Sequence, residues 1–214
     1  MSSSRDPLLR LGAILLAAGE SVRMGRLKAL LPWADAGTLL EYQLRELTRS
    51  RASELALVLG HQADQLAVLA ARFPTVHVVT NEHYREGRAS SIRAGAAALP
   101  DGTCAVAVIA VDQPCPARLL DLLFEQHVRS DVLITIPAYH GVRGHPPVFD
   151  GRLLPELRAV DDATEGLREV RRRHAAAIRV IESECPLVLL NLNRPEDYQQ
   201  ALELTKDEGP RTKD

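Results

Sequence analysis

Cysteine is scarce in this chain. The three present, Cys104, Cys115 and Cys185, are odd in number, widely spaced and without a C-x-x-C pair. This argues against a disulfide framework or a zinc site and suits a reducing cytoplasm. An excess of charge is missing too: 26 basic residues against 28 acidic ones leave a net charge of −2. No general affinity for nucleic acid or anionic membrane is therefore indicated. No apolar stretch approaches the length of a membrane span. Residues 11–18, behind Arg5 and Arg10, imitate a short signal peptide, but cleavage there would destroy the glycine motif that follows. No repeat or linker divides the chain, and no Ser-His-Asp or paired-carboxylate arrangement is legible.

What is there is a length of 214 residues, suited to one large α/β domain, with an ordinary apolar fraction of 46%. Apolar β-rich runs alternate with helical patterns. Strands are expected at residues 11–16, 54–59, 76–80, 104–111 and 132–137, with the very apolar 104–111 run in the middle of the sheet. Thr38 and Glu41 form a capping box that opens a helix with Leu40, Leu44 and Leu47 on one face. Helices are also expected at 63–72, 91–99 and 119–129. Residues 139–149, rich in Gly and Pro, read as a functional loop or hairpin covering the sheet. Beyond them, 153–159, 167–174 and 195–204 read as helices, and 178–182 and 187–190 as strands. The pattern predicts an α/β fold: one Rossmann-like domain over residues 1–205, with a mainly parallel sheet and helices on both faces. Ligands then bind beyond the carboxyl ends of the strands. Residues 206–214 are polar and expected to be disordered.

The run from Ile14 to Lys28 is the most informative. It starts as a buried strand, turns on small residues, and places Arg23 and Lys28 just past the turn. Gly19 and Gly25 allow close approach of a ligand to the backbone. Successive amides in such a turn make an anion-binding concavity, to which fixed cations add. The arrangement suits a nucleoside triphosphate. It is neither a P-loop, since five residues separate the glycines and Arg26 follows, nor a G-x-G-x-x-G turn.

The string LAAGESVRMGRLKALLP resembles the signature L-A-A-G-x-S-x-R-M-G-x-x-K-x-L-L-P of MobA-like nucleotidyltransferases, and within them that of the molybdenum cofactor cytidylyltransferases. The match includes Leu30, Leu31 and Pro32. The resemblance implies a fold of the nucleotide-diphospho-sugar transferase type. It also implies transfer of CMP from CTP to the phosphate of a molybdopterin-type acceptor, with Mg²⁺ and loss of pyrophosphate. Leu16, Ala17, Ala18, Gly19 and Ser21 would then bind the nucleotide, with Arg23 and Lys28 as catalytic cations. A molybdoenzyme receiving the product would be a further partner.

Asp112 follows the central strand at once. A carboxylate there is placed to hold Mg²⁺, or simply to cap a turn before Pro114; the resemblance favours metal and a catalytic role. Asn81, Gly87, Ser90 and Ser91 lie in a segment similar to the family's N-x-x-W/Y-x-x-G-x-x-S-S, which implies a part in the nucleotide pocket. On local pattern alone an ordinary N-cap is the lesser alternative. Arg143, Gly144 and His145 resemble the family's G-x-R-G-H/N-P-V motif and so imply acceptor binding, although a lone histidine is often structural. Asn193 stands where many relatives carry a second metal-binding aspartate. An amide oxygen can ligate Mg²⁺ but adds no charge. This departure leans toward guanylyl transfer from GTP, whereas Ala18 and Asp112-Gln113-Pro114 lean toward CTP. Asp161, Asp162 and Glu165 correspond loosely to an acidic segment on the acceptor side. The Arg171-Arg172-Arg173 run reads as the solvated face of a helix. Three rivals share parts of this pattern: a sugar- or alcohol-phosphate nucleotidyltransferase, a non-catalytic nucleotide-binding protein, and a molybdenum-cofactor-binding chaperone.

Overall fold

A computed structural model describes residues 9–33 and 37–206. Its centre is a mixed sheet. The strands are β1 (Leu11–Ala17), β2 (Glu54–Leu59), β3 (Val76–Thr80), β4 (Ala105–Ala110), β5 (Ile134–Tyr139), β6 (Val142–Arg143), β7 (Val148–Asp150) and β8 (Ile178–Glu182). They run in the order β3-β2-β1-β4-β7-β5-β6, with β8 also paired to β5. The helices are α1 (Leu39–Arg49), α2 (Ala63–Ala70), α3 (Arg88–Ala98), α4 (Ala117–Val128), α5 (Leu154–Leu157), α6 (Leu167–Arg173) and α7 (Pro195–Lys206). Among the described residues no helix is long and apolar enough to cross a membrane.

Strand β1 explains the sandwich of layers. All seven of its residues are buried. Leu11, Ala13, Leu15 and Ala17 join one apolar cluster with α1, α4 and α7. Ile14 and Leu16 join a second cluster with α3, α5 and α6. Side chains alternate across a strand, so a continuously apolar run means burial on both faces. Helix α1 begins with the expected capping box: Thr38 Oγ1 accepts from the Glu41 amide at 3.2 Å, and Glu41 Oε2 accepts from the Thr38 amide at 2.9 Å. Such a cap is worth about 1 kcal/mol.

The chain leaves β1 toward β2 and β3 on one side, then returns to lay β4 along the other. All three pairings are parallel, so the carboxyl ends of β1 and β4 form the crevice of a topological switch. Beyond β4 the expectations need correction. Residues 139–149 do not cover the sheet. His140 and Gly141 turn at φ 49° and 77°, β6 folds back on β5, and β7 enters between β4 and β5 antiparallel to both. The run at 187–190 is not a strand but part of a 3-10 turn, Pro186–Leu189. Short apolar runs do not distinguish the two by pattern, and Pro186 opens the turn without an amide to donate. Lys206 is the last residue of α7 rather than part of a tail. The rest of that expected tail, residues 207–214, and residues 1–8 lie outside the described part.

Candidate active site

The first loop leaves β1 at Ala17 and is fixed at several points. Val111 donates to the Leu16 carbonyl at 2.9 Å, and His61 donates to the Ala18 carbonyl at 3.0 Å. The amides of Gly19, Glu20 and Ser21 donate to no protein acceptor among the described residues. A Cβ on Gly19 would meet nothing within 4 Å, so this stretch faces open space. Ser21 takes a left-handed conformation at φ 56°, and its hydroxyl accepts from the Lys28 amide at 3.1 Å. A serine in this region is held there at some cost, a frequent feature of ligand loops. Three successive amides are thus left open to a ligand.

Gly19 and Ser21 line a cavity of about 380 Å³ at the ends of β1 and β4. Leu16, Ala17, Ala18, Lys28 and Asp112 belong to the same lining. So do Gly87, Arg88, Ser91 and Tyr84, from the segment that opens α3. The volume is within the usual range for small-molecule pockets. Asn81 and Ser90 are not in that lining. Both are buried: the Asn81 amide donates to the hydroxyls of Ser90 and Ser91 at 2.9 and 3.0 Å, and Ser90 donates to the Gly87 carbonyl at 2.8 Å. They shape the wall from behind. Nor is the start of α3 open, because Asp162 accepts from the Ala89 amide at 2.8 Å. Arg23 lies on the turn Val22–Met24, and its side chain is outside the described part.

At the base of the cavity Lys28 Nζ lies 2.6 Å from Asp112 Oδ2 and 2.8 Å from Asn193 Oδ1. These residues are far apart in sequence, and one backbone link joins the segments of Asp112 and Asn193. Leu192 donates to the Asp112 carbonyl at 2.9 Å. Asp197 Oδ2 accepts from the amides of Asn193 and Arg194 at 3.0 and 2.9 Å, capping α7 and aiming Asn193. Tyr198 on α7 donates its hydroxyl to the Pro32 carbonyl, tying the end of the first motif to the last. Two hard oxygens thus converge on one cation position. Among the described residues no group of three or more His, Cys, Asp or Glu could hold a metal. The pair fits Mg²⁺, which takes one or two protein oxygens and completes its shell with phosphates and water.

Arg143, Gly144 and His145 stand on the β6 hairpin, off the cavity lining. Gly144 is required by close approach: a Cβ there would fall 2.1 Å from the Val188 carbonyl oxygen. Burial, followed by the charges of Arg88 and Arg171, holds the His145 imidazole below its usual range, while Asp112 pulls the other way. His145 therefore senses both the cavity base and a group of arginines. The sequence reading gave no role to Arg88 or Tyr84, although Arg88 opens α3 directly after Gly87. An aromatic face such as that of Tyr84 is suited to a nucleobase.

The family described as "MobA-like NTP transferase domain" matches residues 13–180. The chain belongs to this family. Its fold is that of nucleotidyltransferases of the nucleotide-diphospho-sugar transferase type. It is similar to the molybdenum cofactor cytidylyltransferase of Escherichia coli K12, at 24% identity over 191 residues, covering 89% of this chain and 94% of that protein. It is 30% identical to the nicotine blue oxidoreductase of Paenarthrobacter nicotinovorans over 176 residues, covering 79% of this chain and 85% of the relative. Among solved structures, Rv0371c of Mycobacterium tuberculosis H37Rv superposes with a TM-score of 0.78 at 25% identity, over 92% of this chain and 99% of that one. A second structure of Rv0371c, a complex with manganese, gives 0.74 at 24% identity, over 91% and 98% of the two chains. The relatives to which the chain is similar thus carry names of more than one reaction, and the site must decide between them.

Proposed function

We propose that this protein transfers CMP from CTP to the phosphate of a molybdopterin-type acceptor, with GTP as the alternative donor. The observation that carries the reading is the convergence of Lys28, Asp112 and Asn193 beneath an open amide nest. The name of the Escherichia coli relative supports the donor and the acceptor. An acceptor phosphate oxygen attacks the α-phosphorus, the bond from that phosphorus to the bridging oxygen of the β-phosphate breaks, and pyrophosphate leaves. An acceptor phosphate is already ionised near neutral pH, so no strong general base is needed. Positioning and charge stabilisation carry the reaction.

In this reading the amides of Gly19, Glu20 and Ser21 hold the triphosphate, and Ser21 fixes the loop. Lys28, with Arg23, neutralises charge gathering on the leaving pyrophosphate. Gly87 and Ser91 bound the nucleoside, with Asn81 and Ser90 setting the shape of that wall. Arg143, Gly144 and His145 serve the acceptor, His145 as a neutral positioning group. Asp112 and Asn193 would hold Mg²⁺, which when bound would supply charge neutralisation for the phosphates. The free cysteines accord with a cytoplasmic setting, and a molybdoenzyme would take the product.

The test is pyrophosphate release with Mg²⁺ and molybdopterin, comparing CTP, GTP, ATP and UTP. Release with a strong preference for CTP supports the reading, and preference for GTP moves it to the guanylyl branch. Absence of release with all four, despite nucleotide binding, would contradict transfer and open the oxidoreductase or binding-protein readings.

A further inference from the structure

We propose that Arg85 is a further nucleotide-binding residue, which pairs with Glu20 before nucleotide binds and turns to the triphosphate when nucleotide enters. This rests on the transfer reading above and extends its binding machinery to a residue beside the cavity lining.

Glu20 stands between Gly19 and Ser21, and its amide is one of the three that donate to no protein acceptor among the described residues. A triphosphate held by those amides lies beside the Glu20 carboxylate, and like charges repel more strongly where water is displaced. The carboxylate is already matched, however. Arg85 Nε donates to Glu20 Oε1 at 3.2 Å. Arg85 belongs to the 3-10 turn Tyr84–Glu86. The pair therefore joins the first loop to the segment that opens α3, and both segments line the cavity.

Local packing brings the turn to this place. A Cβ on Gly60 would fall 2.7 Å from Tyr84 Cβ and 2.9 Å from Ala18 Cβ, so the lack of one lets the turn close on the first loop. Tyr84 lines the cavity, with its ring 5.4 Å from the Arg85 guanidinium carbon and 6.2 Å from the His61 ring. The other acid of the turn has its own partners: Glu86 lies 2.9 Å from His83 Nδ1 and 3.7 Å from an Arg93 nitrogen.

Glu20 and Arg85 are both exposed. An exposed pair adds little to stability, so this one is easily broken and does not hold the fold. A guanidinium gains more from a triphosphate, which offers paired oxygens for two parallel hydrogen bonds and more charge than one carboxylate. Triphosphate therefore competes with Glu20 for Arg85, and the acid sets how tightly nucleotide is held.

The experiment titrates α,β-methylene CTP, and separately inorganic tripolyphosphate, calorimetrically into the full chain, each premixed with Mg²⁺. Glu20→Gln frees Arg85 and removes a repelling charge, so both probes should bind more tightly than to the parent, by about threefold or more. Arg85→Gln removes the guanidinium and leaves Glu20 unmatched, so both should bind about tenfold more weakly. Glu20→Gln/Arg85→Gln should fall between Arg85→Gln and the parent, because the repulsion leaves with Glu20. Glu86→Gln, which removes a carboxylate from the same turn but not from the pair, should stay within about twofold of the parent. Equal weakening in Glu20→Gln and Arg85→Gln would show a structural tie between two loops and overturn the proposal. Unchanged affinity in Arg85→Gln would overturn it too. If the parent binds tripolyphosphate but not α,β-methylene CTP, the transfer reading falls and the tripolyphosphate series still decides the role of Arg85. If the parent binds neither, both fall.

Discussion

The ammonium of Lys28 sits 2.6 Å from the Asp112 carboxylate, in the position that a divalent cation would share with Asp112 and Asn193. A cation bound between these oxygens would displace the Lys28 ammonium, leaving it free to meet a phosphate. Removing the ammonium without adding bulk should expose the two oxygens. In Lys28→Met, Mn²⁺ binding without nucleotide should tighten by about tenfold, read from the free-ion paramagnetic resonance signal. Turnover of the same variant should fall by about a hundredfold or more. Unchanged Mn²⁺ affinity would show that the Lys28 ammonium does not compete for these oxygens.

Asn193 contributes an oxygen but no charge. Asn193→Asp should lower the Mg²⁺ concentration for half-maximal activity by about tenfold, because a second carboxylate strengthens a hard-cation site. Asn193→Ala should raise it. If the two variants titrate alike, Asn193 is not a ligand.

Asp162 caps α3 from a distant turn, accepting from the Ala89 amide at 2.8 Å. Asp162→Ala should cost about 1 kcal/mol, a fall in Tm of about 2–4 °C for a domain of this size. The loss should also loosen Gly87 and Arg88, raising KM for the nucleotide more than it lowers kcat. An unchanged Tm would remove the capping role.

His127 is buried, lies 2.8 Å from Thr135 Oγ1, and is held below its usual range by burial, against the pull of Asp150. His145 is lowered as well. A lowered histidine is protonated in the unfolded chain before the folded one. Stability is therefore fully present above the ordinary histidine value of about 6.5 and declines as pH falls below it, by at most about 1.4 kcal/mol per pH unit for each group. Urea unfolding between pH 8 and 5 should show this slope, and His127→Gln should reduce it. The lowered Asp150 adds its own loss only at more acid pH. A flat profile for the parent would contradict the lowering of both imidazoles.

Much of the site could be read in sequence because its parts sit at strand ends. The 14–28 run and Asp112 were placed by the apolar strands before them, and both line the cavity. The Lys28–Asp112 pair was not legible, since 84 residues separate them and only the adjacency of β1 and β4 joins them. The insertion of β7 was hidden for a similar reason: a three-residue strand has too short an alternation to register, and its partners lie on either side in space. Pro186 could have warned against a strand at 187–190.

The most direct measurement follows the label. With CTP labelled at the α-phosphate, molybdopterin and Mg²⁺, the account predicts that label appears in the acceptor in step with unlabelled pyrophosphate, and that Asp112→Ala abolishes it. Label that stays in CTP, or is released only as free CMP, would contradict nucleotidyl transfer to this acceptor.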